Sequence, residues 1–181
     1  KVDTVGPPFR TNKVKIADDG EILIKGENVM LGYWNNQEET NKVIKNEWLH
    51  TGDIGEIDSE GFLKITDRKK DIIVNLGGDN IAPSKIENIL CLNQFIKQSF
   101  IYGDKKNYLV ALLVVEKDVN KEKIKVILEN INKNLSLIEK IKKFVLINEE
   151  FTINNGMLTP TLKLKRKEII KNYKQQLENL Y

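Results

Sequence analysis

Thr51-Gly52-Asp53 is the first place in this chain where residue types and spacing could do chemistry. The glycine frees the backbone, and the carboxylate behind it can accept two hydrogen bonds at once, the acceptor pair that a vicinal diol calls for. A charged cluster, Asp67-Arg68-Lys69-Lys70-Asp71, comes next, and behind it apolar Ile72-Ile73-Val74 leads to Gly77-Gly78. Pro83 then stands at a favoured first position of a helix. Near the end, Lys163 lies between Pro160 and Arg166 in a polar stretch. Taken singly, Gly77-Gly78 is a turn, Lys69-Lys70 is a solvated charge run, and Lys163 is a surface lysine among Lys165, Arg166 and Lys167.

The elements that must position these residues change character along the chain. Lys13 to Ala17 and Glu21 to Lys25 alternate polar and apolar around Asp18-Asp19-Gly20, which predicts a hairpin. Ile54 to Ile57 and Phe62 to Ile65 flank Asp58-Ser59-Glu60-Gly61 and predict a second, a rigid support for Asp53. Asn36 and Glu39 have capping-box spacing, with a short helix through Thr40, Val43 and Ile44. Beyond Lys70 the pattern is mixed. It predicts a helix from Pro83 to Leu92 with Ile86, Ile89 and Leu90 on one side, then strands at Ser99 to Tyr102 and Tyr108 to Val115 around a Gly103-Asp104 turn. Ile124, Ile127, Leu128, Ile131 and Leu135 mark a helix from about Lys121, and Phe144 to Ile147 reads as a short buried strand. A last helix, about Lys167 to Leu180, carries Ile169, Ile170, Tyr173, Leu177 and Leu180 on a stripe expected to pack on the small sheet. Tyr33-Trp34 is expected in the core. His50 has no second catalytic partner nearby in sequence and is expected to be structural. Cys91 is expected to be a small buried hydrophobe.

Composition narrows the function classes only a little. With 181 residues, 40% hydrophobic and 30% charged, the chain can bury a core in one or two small domains. Its net charge of +3 is slight, and no basic stripe with interleaved aromatics is present, so no nucleic-acid partner is expected. One cysteine forbids an intrachain disulfide, and a reducing, cytoplasmic location is the default. No apolar run approaches transmembrane length, which leaves a peripheral membrane contact open. The start at Lys1 is neither a Met nor a signal peptide, and the chain reads as a piece of something longer.

The residues also carry a resemblance. Gly20-Glu21-Ile22-Leu23-Ile24-Lys25-Gly26, Val29-Met30-Leu31-Gly32-Tyr33-Trp34, Thr51-Gly52-Asp53, the run Asp67 to Glu87, and Pro160-Thr161-Leu162-Lys163-Leu164-Lys165-Arg166 occur in order across most of the chain. Each is weak alone, but the ordered set resembles the ATP-dependent, AMP-forming acyl-CoA synthetase family within the adenylate-forming ligases. The stretch Asn75 to Pro83 is most similar to the long-chain fatty acid branch. This resemblance implies an α+β fold: a β-rich distal subdomain of the large adenylation domain over 1–69, then a small mixed α/β carboxy-terminal lid domain over 70–181, with the hinge at Lys70. Two departures stand out. The family's commoner Gly-Arg pair is Asp67-Arg68 here, which adds a charge, and Thr161-Leu162-Lys163 stands where many relatives have Ser-Gly-Lys, which should stiffen that loop.

The chemistry the resemblance implies is activation of a fatty acid by ATP. The carboxylate attacks the α-phosphate, pyrophosphate leaves, and the acyl-AMP formed loses AMP to the thiol of coenzyme A. In that scheme Lys163 is the catalytic ammonium facing charge on the phosphoryl oxygens. Asp53 holds the ribose hydroxyls, Arg68 bridges ribose and phosphate edge, and Gly77 and Gly78 let the backbone approach the arm of coenzyme A. Lys70 is the pivot between two poses, one for each half-reaction. That chemistry needs a Ser/Thr/Gly-rich phosphate loop and a carboxylate for Mg²⁺; no such loop occurs in the sequence, and neither does an acyl pocket. The expectation is therefore the carboxy-terminal part of such a ligase, inactive alone, with Mg²⁺ held by the upstream remainder of the large domain. Two alternatives stay open: the same chemistry on another acid or acceptor, as in aryl-CoA ligases or carrier-protein-loading enzymes, and a non-catalytic nucleotide-binding or interaction module.

Overall fold

The first seventy residues fold around one long strand. In the computed structural model, which describes all residues 1–181, the chain divides into Lys1–Lys70 and Asp71–Tyr181. Strands β1 (Asn12–Ile16) and β2 (Glu21–Gly26) pair antiparallel from Ile16↔Ile22 to Asn12↔Gly26, as their alternation predicts. Helix α1 (Gln37–Val43) follows, capped by the Asn36 side chain accepting from the Glu39 N–H. The reciprocal half of the capping box does not form, because the Glu39 carboxylate pairs with Lys42. After the two-residue strand β3 (Ile44–Lys45), β4 (Trp48–Ile57) runs through the whole sheet. One edge of β4 pairs with β2, and the other pairs in succession with β3 and with β5 (Leu63–Arg68). The second hairpin is therefore longer than its alternating pattern suggests.

Tyr33-Trp34 is not in the core, contrary to the expectation from its aromatic character. Trp34 is 92% exposed and Tyr33 50%. Asn35, with φ +48, turns the segment outward, while the Tyr33 N–H is pinned to the Thr40 hydroxyl. His50 does take a structural place, its Nδ1 2.9 Å from a Glu21 carboxylate oxygen.

The unit Asp71–Tyr181 is built on a buried strand. A small hairpin, β6 (Ile73–Val74) with β7 (Asn80–Ile81), carries the Gly77-Gly78 loop and leads into α2 (Pro83–Cys91), with Pro83 in its first turn. Strands β8 (Ile96–Tyr102) and β9 (Leu109–Val115) pair antiparallel. Helix α3 (Lys121–Lys133) crosses over to β10 (Ile141–Ile147), which lies parallel to β9 and makes it the centre of a three-stranded sheet. Successive residues of β9 divide between two cores, as period-two geometry requires. Leu109, Ala111 and Leu113 pack with Ile86 and Leu90 of α2 and Ile124 and Leu128 of α3. Val110, Leu112 and Val114 pack with Phe151 and with Ile169, Tyr173 and Leu177 of α4 (Arg166–Glu178). The last helix thus covers the sheet, as its stripe predicts. A bulge between Ile96 and Gln98 lets Ile96 and Ile101 reach one face, although their odd spacing would send them to opposite faces of a regular strand.

Cys91 departs from expectation. It is exposed, at the last position of α2, with its Sγ 3.4 Å from the Ser99 hydroxyl. The buried stripe of that helix runs through Pro83, Ile86, Glu87 and Leu90, and Cys91 falls off it.

Candidate functional site

Thr51-Gly52-Asp53 forms a bulge in β4. On the β2 side the pairing passes from Leu23↔His50 to Glu21↔Ile54, so β4 spends two more residues than its partner over that interval. Gly52 makes this possible with φ +70, a conformation that costs a glycine little. Two tethers hold the bulge. The Thr51 hydroxyl donates to the Ile22 carbonyl at 2.7 Å and accepts from the Asp53 N–H at 3.1 Å. The Gly52 N–H donates to the Glu21 carboxylate at 2.9 Å. Bulges re-aim side chains and stop regular pairing, and here the result is a half-buried Asp53 directly across from Arg68. The Arg68 guanidinium donates to Asp53 Oδ1 at 2.8 Å, while Oδ2 keeps no protein partner. The structure therefore brings these two site residues together. Asp67, the departure from the family's commoner Gly, is buried, and one of its oxygens accepts the Arg68 N–H at 2.7 Å.

Lys69 and Lys70 behave differently. Lys69 Nζ binds Asp19 at 2.6 Å and Glu21 at 2.9 Å, and these carboxylates hold its ammonium above the usual lysine range. Burial pushes the Glu21 carboxyl up, but bonds from His50, Lys69 and the Gly52 N–H outweigh it and leave the group below its ordinary value. Lys70 is exposed, lies in a 3₁₀ turn (Lys69–Asp71), and enters no ion pair. It is the last residue of the first unit.

Gly77 and Gly78 sit in the loop of the β6–β7 hairpin. The Asn75 side chain accepts the Asp79 N–H at 2.9 Å and donates to the Asp79 carboxylate, closing the loop at its base. A Cβ on Gly77 would press on those two side chains at 3.2 Å, whereas one on Gly78, at φ +84, would meet nothing within 4 Å. The loop is braced from β8–β9: Lys105 N–H donates to the Val74 carbonyl and Leu76 N–H to the Lys106 carbonyl.

Lys163 is exposed at the end of a tight turn. Leu162 N–H donates to the Thr159 carbonyl and Thr159 N–H to the Lys163 carbonyl, while the Thr159 hydroxyl accepts the Lys163 N–H at 3.0 Å. This is the three-residue hairpin loop whose last turn residue is left-handed, a place glycine fills most easily. Leu162 occupies it with φ +60. Immediately after the turn, Arg166 anchors the start of α4. Its guanidinium donates to both oxygens of buried Glu87 at 2.9 and 3.1 Å and to the Ile101 carbonyl at 2.6 Å, over the Phe100 ring at 4.5 Å.

A family profile described as AMP-binding enzyme C-terminal domain matches residues 70–181. The chain belongs to the AMP-binding enzymes and matches their carboxy-terminal part. Along its entire length it is 36% identical to the long-chain-fatty-acid–CoA ligase FadD15 of Mycobacterium tuberculosis, of which it covers 34%. Its fold is similar to the adenylation domain of a Mycobacterium chelonae carboxylate reductase, with 26% identity and a TM-score of 0.84 over 97% of this chain and 31% of that one. It is also similar to the O-succinylbenzoate coenzyme A synthetase of Bacillus subtilis, solved in complex with AMP, with 30% identity and a TM-score of 0.75 over 92% of this chain and 35% of that one. The chain therefore spans about a third of the length of the relatives it matches. Within this AMP-binding enzyme fragment, sequence reading overlooked Glu21 as the organiser of the bulge. Its only signal was a charged residue at the first position of a strand, directly before the apolar run Ile22-Leu23-Ile24.

Proposed function

We propose that this chain is the carboxy-terminal portion of an ATP-dependent, AMP-forming long-chain fatty acyl-CoA ligase. The observation that carries the reading is the end-to-end match with a long-chain ligase. Geometry supports the assigned roles. Asp53 offers Oδ2 to a ribose hydroxyl while Arg68 orients its other oxygen, and the exposed Arg68 guanidinium would bridge to a phosphate edge. Gly78, left-handed and clear of neighbours, suits the approach of the coenzyme A arm. Lys163, exposed and presented by a closed turn, would face charge building on the α-phosphate, where a fixed cation needs no rearrangement as the reaction proceeds. Lys70 would be the pivot.

The Mg²⁺ that accompanies ATP is assigned to the upstream part of the parent. That upstream part is also the proposed partner of the first unit, whose Leu31 and Trp34 present apolar surface to solvent. We place the parent in the cytoplasm, the default compartment for a chain whose single cysteine forms no disulfide.

The test is the purified intact parent with a long-chain fatty acid, ATP and coenzyme A. AMP, pyrophosphate and acyl-CoA should form together, and the isolated 181-residue chain should show no ATP–pyrophosphate exchange. The similarity to enzymes named for other acids and products favours a second reading, the same adenylation of another acid or for another acceptor. Exchange with an aryl acid but none with fatty acids would select it.

A further inference from the structure

Glu21 is a buried acid to which the proposed chemistry gives no role. Its side chain is 5% exposed, and the donors to its carboxylate come from the bulge and the residues beside it. Oε1 accepts the Gly52 N–H at 2.9 Å, and Oε2 faces both His50 Nδ1 and Lys69 Nζ at 2.9 Å. A carboxylate taken out of water is costly unless its acceptors stay filled, so these donors hold one another in register. Gly52 supplies the peptide that immediately precedes Asp53. Lys69 follows Arg68, the residue across the ladder from Asp53.

We propose that Glu21 is a positioning residue for nucleotide binding: its carboxylate sets the orientation of the Gly52–Asp53 peptide, and so the direction in which Asp53 presents its free oxygen, while its bond to Lys69 keeps Arg68 opposite Asp53. This rests on the reading of Asp53 as the ribose acceptor. Charge and symmetry of the carboxylate are both needed. A glutamine at this position would turn its amide N–H₂ either toward the Gly52 N–H or toward His50 and Lys69, and in both rotamers a donor would face a donor. The Thr51 hydroxyl, bonded to Ile22 and Asp53, remains as a second tether, so Glu21→Gln should loosen the bulge without unfolding the sheet.

The experiment uses the intact parent enzyme carrying Glu21→Gln, Asp53→Asn or both, with KM for ATP, KM for the fatty acid and kcat read separately from ATP–pyrophosphate exchange. Glu21→Gln should raise the KM for ATP roughly tenfold and leave the KM for the fatty acid unchanged. The double variant should be no worse than Asp53→Asn, because both changes act through one contact. An unchanged KM for ATP in Glu21→Gln, alongside a raised one in Asp53→Asn, overturns the proposal while leaving the ribose reading intact. Fully additive losses overturn it as well. If Asp53→Asn binds ATP like the parent, the ribose reading fails and the role of Glu21 falls with it. Should Glu21→Gln not fold, His50→Ala removes a single half-buried donor and is judged by the same criteria: a raised KM for ATP, not additive with Asp53→Asn, supports the proposal, and an unchanged one refutes it.

Discussion

The two units hold themselves together by different physics. In Asp71–Tyr181, β9 is apolar on both faces and two clusters of buried side chains flank it. In Lys1–Lys70 only Ile22, Leu23 and Leu63 are buried hydrophobics, and they share the interior with Glu21, Thr40 and Asp67. Apolar burial is non-directional and scales with area. Hydrogen bonds to a buried carboxylate are directional, and losing one donor leaves an acceptor unsatisfied. Changes in the first unit should therefore disturb geometry and ligand contacts before stability, whereas in the second unit core changes should act on stability and loop changes on chemistry.

The largest expected effect is on the apolar side. Leu112→Ala opens a cavity at a fully buried site of β9 and should cost about 2–5 kcal/mol in denaturant unfolding of this chain; a loss below about 1 kcal/mol would break the contrast between the units. Next come the two loops of the same unit. In the intact parent, Lys163→Ala should slow acyl-AMP formation by about 3–4 kcal/mol or more yet spare thioester formation from supplied acyl-AMP, with little change in melting temperature because the side chain is exposed. Gly78→Leu should do the reverse, adding a side chain where φ is left-handed. Single-turnover kinetics of each half-reaction decides between them, and equal losses of both steps in both variants would remove the two-pose reading.

Asp53→Asn sharpens the comparison from the polar side. It keeps the shape, loses the charge, and should weaken ATP binding by about 1.5–3 kcal/mol, read by calorimetry on the parent, while the melting temperature hardly moves. Acid should act on the same network. The folded-state carboxyls of Glu21 and Asp19 lie below their ordinary values, Asp19 chiefly because Lys69 bonds to it. Their contribution is present above the unfolded-state values near pH 4 and is lost as pH falls through the lower folded ones. Unfolding free energy measured from about pH 5 down to pH 2 should fall, and more gently in Glu21→Gln. The smallest effect is Leu162→Gly. Releasing a left-handed leucine returns roughly 1–2 kcal/mol, and the added freedom of glycine in the unfolded chain takes back about 0.5–1. A net gain of up to about 1.5 kcal/mol is expected in thermal unfolding.

Much of the architecture was legible because periodicity reports burial directly. The strand pattern of β1–β2, the helical stripes of α2, α3 and α4, and the turn residues between them each express one local rule, and the elements appear where those rules place them, within a few residues. The failures share a cause. Tyr33, Trp34 and Cys91 were judged by residue type, and type states only a preference for burial. A left-handed turn at Asn35 and the angular position of Cys91 on its helix overrode that preference. The Asp53–Arg68 pairing could not be read either, since it depends on register, and a bulge shifts register by amounts that no alternating pattern records.

The sequence by itself determined the ordered motifs, the change from β-rich to mixed character near Lys70, and the residue types able to bind a diol or face a phosphate, because these depend on identity and short-range spacing. Tertiary structure alone decided that Glu21 gathers His50 and Gly52 of β4 and Lys69 of the turn after β5, that Arg166 secures the start of α4 on Glu87, and that Leu162 is forced left-handed beside Lys163. Each of the two carboxylate contacts joins residues far apart in the chain, and the strained turn is set by how its ends pair. None has a local signature, since what selects them is the cost of leaving a buried charge or a backbone group without a partner once the chain has closed on itself.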